Sequence, residues 1–363
     1  MKAALKCLVL VVTGICFNSV SAQDVYQVLR DQVQGFAEVV RGKPLVFPRD
    51  HSAHPEYRIE WWYITANLED DRGRNWGLQW TLFRQSLSVE ADTEGWDSNQ
   101  LWMAHAALTT PEKHSFEQRF ARGGIGQAGV KHGEIFEAWL DDWHWRSETA
   151  AIFPSQLHFS VGDSSVEMQL EGLSDWVLHG DLGYSQKSTQ GQASYYYSQP
   201  KISMSGTVHV GDETIQLKGT AWLDREWSSQ ALAKNQQGWD WFSLNFEDGS
   251  KLMLYRLRHD QGQHWLSGSW IDSKGQLNHL DKHDIELNPA AIREIDIGND
   301  QTVELPLEWK IGLPGYGSKW KIKTLYDQQW MGTRFPYWEG MVLVEDDAGQ
   351  PVGRGYMELT GYD

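Results

Sequence analysis

The chain has 363 residues and a formal net charge of −17. That acidity, with no cationic cluster, excludes nucleic acid as a partner and argues against charge-driven docking on anionic lipid. Apolar residues make up 40%, enough for a large core, and the twenty Trp call for broad aromatic faces.

The N-terminus, MKAALKCLVLVVTGICFNSVSAQD, has a positive head at Lys2 and Lys6 and an apolar run from Cys7 to Phe17. Val20, Ser21 and Ala22 form a small-residue cleavage pattern. Residues 1–22 are therefore expected to be a signal peptide that sends the mature chain to the periplasm or beyond. The apolar run is too short to span a bilayer as a helix. Ile15 stands where a lipoprotein signal needs a small residue before Cys16. Both cysteines lie in this leader, so the mature chain is expected to lack disulfides and thiolate chemistry. Loss of Lys2 and Lys6 deepens the charge to −19.

Residues 23–50 read as an N-terminal helix and linker. Val25, Leu29, Val33, Phe36 and Val40 follow helical spacing until Pro44 and Pro48 end it. From Glu56 onward the period is two, with turn residues between runs. RIEWWYITANL and NWGLQWTLFRQ flank Asp71-Arg72-Gly73, and Gly162-Asp163, Gly211-Asp212 and Asp248-Gly249 punctuate later pairs. The expected class is all-β, with short antiparallel strands joined by hairpins. Each half opens on an aromatic strand, IEWWYI or GWDWFSL, and continues into an Arg-bearing one. That suggests two up-and-down barrels, over 51–232 and 233–363, divided in the polar stretch ALAKNQQ.

Four stretches carry candidate chemistry. Alternation places Glu60 and Trp62 on one face of a strand and Trp61 and Tyr63 on the other. In GTAWLDREWSS, Asp224 and Glu226 share a face, about 6.6 Å apart at Cα, with Arg225 and Trp227 on the other. Close carboxylates push their pKa values apart and can supply an acid and a base. The competing reading is an ion-pair network in which Arg84, Arg225 or Arg256 neutralises them. In WDWFSLNFEDGSKLMLYRLR, a two-residue turn at Asp248-Gly249 places Phe242 opposite Tyr255 and Trp241 opposite Arg256. Asp240, Phe242, Leu244, Met253, Tyr255 and Leu257 then share one face, and Trp239, Trp241, Arg256 and Arg258 the other. In LWMAHAAL, His105 sits in an apolar strand, either as a hydrogen-bonded core residue or beside a carboxylate. There is no G-x-S-x-G elbow and no H-E-x-x-H. His51, His54, His105, His132, His144 and His158 lack ligand spacing, so no metal is expected. Gly123-Gly124-Ile125-Gly126 is not set as a nucleotide loop.

EWWYITANL, GLQWTLFRQS, WMAHAALT, YYYSQPKISMSGTV, GTAWLDREWSS and WDWFSLNFEDGSKLMLYRLR stand in order over most of the chain. Together they resemble the AttH-like and carotenoid 1,2-hydratase (hydroxyneurosporene synthase) family, often described as secreted hydrolases. The resemblance implies two consecutive lipocalin-like barrels and a hydrophobic, isoprenoid or lipid-like ligand. It also implies water addition to an alkene without a redox cofactor, or hydrolysis. Relatives encoded beside ABC transporter genes imply an ABC transporter partner. The expected catalytic set is Asp240, Tyr255, Asp224 and Glu226. The expected ligand-binding set is Glu60, Trp62, Tyr63, His105, Trp222, Trp239, Trp241 and Arg256. Three functions stay open: an enzyme working in a barrel cavity, a carrier of an apolar ligand, and an envelope scaffold whose barrels are filled.

Overall fold

The computed structural model describes residues 27–30, 33–131, 133–230 and 232–362. The leader over 1–22 and its cleavage site lie outside them. Gln27–Arg30 is a single helical turn, although the periodicity predicts a helix reaching Val40. From Val33 the chain is turn and extended, with Gly35 at φ +102°. Tertiary hydrogen bonds override the local pattern. Ala37 N–H donates to Glu56 O at 2.9 Å and Val40 N–H to the Tyr195 hydroxyl at 2.8 Å, tying the segment along the first barrel.

The first sheet opens with β1 (Ile59–Asp70), β2 (Asn75–Ser86), β3 (Gln100–Thr109) and β4 (His114–Arg122). Short strands follow: β5 (Ala128–Lys131), β6 (Glu137–Leu140), β7 (Trp143–Ser147), β8 (Ser155–Val161) and β9 (Ser164–Gly172). β10 (Val177–Leu178) and β11 (Tyr184–Gln186) precede two long strands, β12 (Ala193–Val210) and β13 (Glu213–Gln230). The order is β4-β3-β2-β1-β13-β12-β9-β8-β7-β6-β5, nearly closed into a barrel, with β10 and β11 added on β12.

The second sheet holds β14 (Gln236–Phe246), β15 (Lys251–His259), β16 (Trp265–Ile271), β17 (Leu277–Asp281) and β18 (Glu286–Gly298). It ends with β19 (Gln301–Leu313), β20 (Ser318–Thr324), β21 (Trp330–Met331), β22 (Tyr337–Glu345) and β23 (Pro351–Thr360). Its order is β17-β16-β15-β14-β23-β22-β20-β19-β18, with β21 on β22. In both sheets the last long strand returns to pair with the first, β13 with β1 and β23 with β14. The protein is thus almost entirely β, two consecutive antiparallel barrel sheets of lipocalin-like form.

Alternation decides what fills them. Trp62, Ile64, Ala66 and Leu68 point from β1 into the first interior, with Trp76, Trp80, Trp143 and Trp145 from other strands. Phe242, Leu244, Trp309 and Trp338 fill the second. Each fully buried Trp removes 150–250 Å² from water, about 4–6 kcal/mol gross. A cavity inside either barrel is not what these side chains build.

One predicted register is corrected. Trp241 lies opposite Tyr255, Asp240 opposite Arg256 and Phe242 opposite Leu254, one residue away from the sequence expectation. Gly249, at φ +89°, closes a three-residue loop over Glu247–Gly249, with Phe246 N–H donating to Ser250 O. Such loops are a common hairpin form beside the two-residue ones. The slip exchanges faces. Tyr255 joins Trp239 and Trp241 on the outside of the second barrel, while Asp240 and Arg256 share its interior side.

The outer faces of the two barrels meet. Gly77 on β2 permits the approach, since a Cβ there would stand 2.6 Å from the Tyr356 hydroxyl. Asn67 Nδ2 donates to Gly355 O at 3.2 Å, and Arg354 pairs with Glu69 at 2.7 Å. Tyr63, Tyr196, Trp222, Trp241, Met253, Tyr255, Met341 and Tyr356 form one apolar cluster between the sheets.

Candidate active site

A cavity of about 390 Å³ lies between the barrels, in the range of pockets for small organic ligands. One wall is a row across the first sheet: Tyr196, Glu226, Trp61, Phe83, Met103 and Phe120 stand opposite one another in successive strands. The facing wall comes from the second sheet, with Tyr255, Trp241 and Glu358 in one row and Trp239 beside Leu257. Leu29 of the helical turn and Leu232 of the connection complete it.

The polar groups gather at one side. Asp224 is 3% exposed, and among the described residues no cation pairs with its carboxyl. Its Oδ1 accepts from Trp222 Nε1 at 2.7 Å and from the Ser198 hydroxyl, and its Oδ2 accepts from the Tyr196 hydroxyl at 2.7 Å. Trp241 Nε1 in turn donates to the Tyr196 oxygen at 3.0 Å. Burial pushes the Asp224 pKa up to about 7, against the pull of those three donors and with help from Glu226. Glu358 accepts from Trp239 Nε1 at 3.0 Å, and burial raises its pKa to about 8. Just behind the wall, Glu339 accepts from the Tyr63 hydroxyl at 2.5 Å; burial and then Glu358 hold it well above the usual carboxylate range.

Glu226 differs. Lys187 Nζ pairs with its Oε1 at 2.8 Å, and the Ser194 hydroxyl donates to the same oxygen. Burial opposes the Lys187 charge, but Glu226 and Tyr255 more than offset it and its pKa ends above the ordinary value. Lys187 also sits over the Tyr255 ring, 4.2 Å from its centroid. The cavity is thus lined by the Lys187–Glu226 ion pair, by the Glu60–Arg84 pair at its border, and by two carboxyls, Asp224 and Glu358, that burial brings to titrate near neutral pH.

Of the expected residues, Asp224, Glu226, Tyr255, Tyr63, His105, Trp239 and Trp241 line this cavity. Trp222 lies buried behind it, bound to Asp224. Trp62 is in the core of the first barrel under Arg225, whose guanidinium carbon stands 3.6 Å from the ring centroid. Glu60 borders the cavity, but its carboxylate is bound by Arg84 and by Arg225, the latter at 2.7 Å. Asp240 and Arg256 do not reach the cavity. Asp240 binds Arg256 Nε at 2.6 Å, Arg258 at 2.8 Å and the Tyr362 hydroxyl at 2.6 Å inside the second barrel. His105 pairs with the Tyr337 hydroxyl at 2.9 Å, and burial lowers its pKa to about 3. Lys187, Tyr196, Ser198, Glu339 and Glu358 were missed. The motif YYYSQP held a signal, because Tyr196 and Ser198 alternate onto one face. Among the described residues no group of three His, Cys, Asp or Glu is placed to hold a metal ion.

Comparison with known proteins follows the same outline. The AttH-like family model matches residues 38–362. A crystal structure of a protein assigned to AttH from Nitrosomonas europaea is 36% identical, with a TM-score of 0.79, over 90% of this chain and 100% of that one. Kievitone hydratase from Nectria haematococca shares the fold at 14% identity and TM-score 0.66, over 91% of this chain and 98% of that one. CghA with Sch210972 shares it more distantly, at 12% identity and TM-score 0.55, over 92% and 98%. No curated protein matches.

Proposed function

This chain belongs to the AttH-like family, and on that footing we propose that it is a cofactor-free acid–base enzyme of the hydratase type. Its substrate is a hydrophobic, isoprenoid- or lipid-like molecule held between the barrels. One observation carries the reading: Asp224, with a pKa near 7 and, among the described residues, only neutral donors on its carboxyl, faces an apolar cavity walled by Trp61, Trp239 and Trp241. A general acid works best with a pKa near the working pH.

In hydration, the alkene π pair takes the Asp224 proton as a new C–H bond, leaving a carbocation. Trp faces stabilise a cation by about 2 kcal/mol when desolvated. Water bonds to the cationic carbon and loses a proton to Glu226, whose charge Lys187 balances. Glu358, protonated at neutral pH, adds no negative charge beside Asp224. The leader pattern supports export to the periplasm. An apolar cavity would equally serve a carrier that exchanges its ligand with an ABC transporter. A carrier of a neutral ligand has no need of a carboxyl titrating near pH 7, which favours the enzyme.

Native mass spectrometry of the purified protein, with extraction of what it carries, supplies the substrate. Incubated with it in heavy water, the enzyme should yield a product one water heavier with one deuterium on carbon. Asp224→Asn should form it about 10²–10⁴-fold more slowly. Bound ligand returned unchanged by the wild type would favour the carrier, and absence of any ligand would favour a scaffold.

A further inference from the structure

His179 is buried, lies outside the cavity lining and has no part in the steps above. It sits in the turn after β10, where its N–H donates to Tyr196 O at 3.0 Å. Its ring joins two hydroxyls. Nε2 is 2.6 Å from Ser198 Oγ, and Nδ1 is 2.9 Å from Ser269 Oγ. Ser198 is the residue bonded to Asp224, and Ser269 belongs to β16 of the second barrel. Opposite Ser269 in the ladder stands His279, which is exposed.

Donor counting sets the direction of this line. An ionised Asp224 only accepts, so the Ser198 proton points to it. Ser198 must then accept from His179, which places the ring proton on Nε2. Nδ1 is left as an acceptor for the Ser269 hydroxyl. Once Asp224 is protonated, its O–H can donate to Ser198, Ser198 to Nε2, and an Nδ1 proton to Ser269. Both arrangements pair the Asp224 carboxyl, the Ser198 hydroxyl and both ring nitrogens, and the second is the first with each proton moved one place.

We propose that Ser269, His179 and Ser198 form a proton-loading chain for Asp224, running from the outer side of the second barrel to the cavity and reversing direction with the tautomer of His179. Ser269 is itself fully buried, so in one loading event a proton from water is passed in by its exposed ladder neighbour His279 and bonds to Ser269, whose own proton passes to Nδ1. The Nε2–H bond breaks as Ser198 gains that proton, and the former Ser198 proton bonds to Asp224. One proton enters and one carboxyl is neutralised. The imidazole stays neutral throughout. Its charged form is opposed first by burial and then by Lys187 and His279, with the Tyr196 ring 4.2 Å away and Asp224 reached only through Ser198. His179 is a positioning residue in this scheme, acting through Asp224. The scheme rests on the reading of Asp224 as an acid.

The test needs no substrate. Protein labelled with 15N in His and 13C in the Asp carboxyl is titrated from pH 5 to 9 by NMR. Asp224 is assigned with Asp224→Asn, and His179 by its contacts with the Tyr196 ring. The His179 proton should sit on Nε2 at pH 9 and on Nδ1 at pH 5, with the midpoint of Asp224. In Ser198→Ala, Asp224 should still titrate while the tautomer no longer follows it. If that variant does not fold, Ser269→Ala should hold the ring in the Nε2–H form at both ends of the range. A fixed tautomer beside a titrating Asp224, or a ring that becomes charged, overturns the chain and leaves Asp224 as an acid. An Asp224 that does not titrate in this range overturns both.

Discussion

Two sets of buried carboxylates occupy one molecule and live under opposite rules. Inside the barrels, Glu60 is held by Arg84 and Arg225, and Asp240 by Arg256 and Arg258. In both, an Arg of the cluster lies over a Trp, Arg225 over Trp62 and Arg256 over Trp309. Between the barrels, Asp224, Glu339 and Glu358 accept, among the described residues, from indoles and hydroxyls only. Burial pushes Asp224, Glu339 and Glu358 toward the neutral form. Burial would also raise Glu60, but its two guanidiniums outweigh it and hold its pKa below the carboxylate range. Asp224 and Glu358 have no such partner among the described residues and end near 7 and 8. The partner, not the depth, decides whether a buried carboxyl serves as a strut or carries a proton.

The comparison breaks most visibly at the struts. Glu60→Ala leaves two guanidiniums unpaired inside the first barrel and should cost about 3–5 kcal/mol in urea unfolding. Asp240→Asn should be of similar size at the other barrel, because its role in the structure is to hold two Arg; a loss below 1 kcal/mol in both would sink the distinction. Asp224→Asn, by contrast, should fold normally and lower turnover about 10²–10⁴-fold, the usual contribution of a general acid.

The pH dependence of stability should also separate the sets. Asp224 and Glu358 have folded pKa values above their unfolded ones, so their favourable contribution is complete below about pH 4 and is lost as pH rises toward 7 and 8. Glu60 runs the other way, stabilising above about pH 4.3 and losing that contribution as pH falls. Near pH 8.5, Asp224→Asn should therefore be more stable than the wild type by about 1 kcal/mol or more, read from the urea midpoint. The smallest effect expected is at Trp241→Phe. It removes one donor from the Tyr196 oxygen and should cost about 1 kcal/mol. With Tyr196 a weaker donor to Asp224, the acid's pKa should move upward, visible as a shift of the rate profile.

Much of this was legible in the residues. Period two and the Gly-Asp turns marked the strands, and Asp224 and Glu226 do share the face of the last long strand of the first sheet that meets the second barrel. The cavity was expected inside a barrel, and alternation could not say otherwise. β1 is buried on both faces, so its pattern does not tell interior from junction. The hairpin at Asp248-Gly249 was misread by one residue because a three-residue loop carries the same dipeptide. A second irregularity, between Gln199 and Ile202, brings Ser198 opposite Asp224. Pro200 stands in that bulge, where a residue without a ladder N–H fits. Lys187, His179, Glu339 and Glu358 reach the site from short turns and a distant hairpin, and no local spacing announces them.

The most direct measurement is the carboxyl 13C titration of Asp224 and Glu60 in one sample from pH 4 to 9. The account predicts an inflection near 7 for Asp224 and none for Glu60. If Asp224 stayed ionised across the range, the site between the barrels would be another strut, and the acid assigned to it would be wrong.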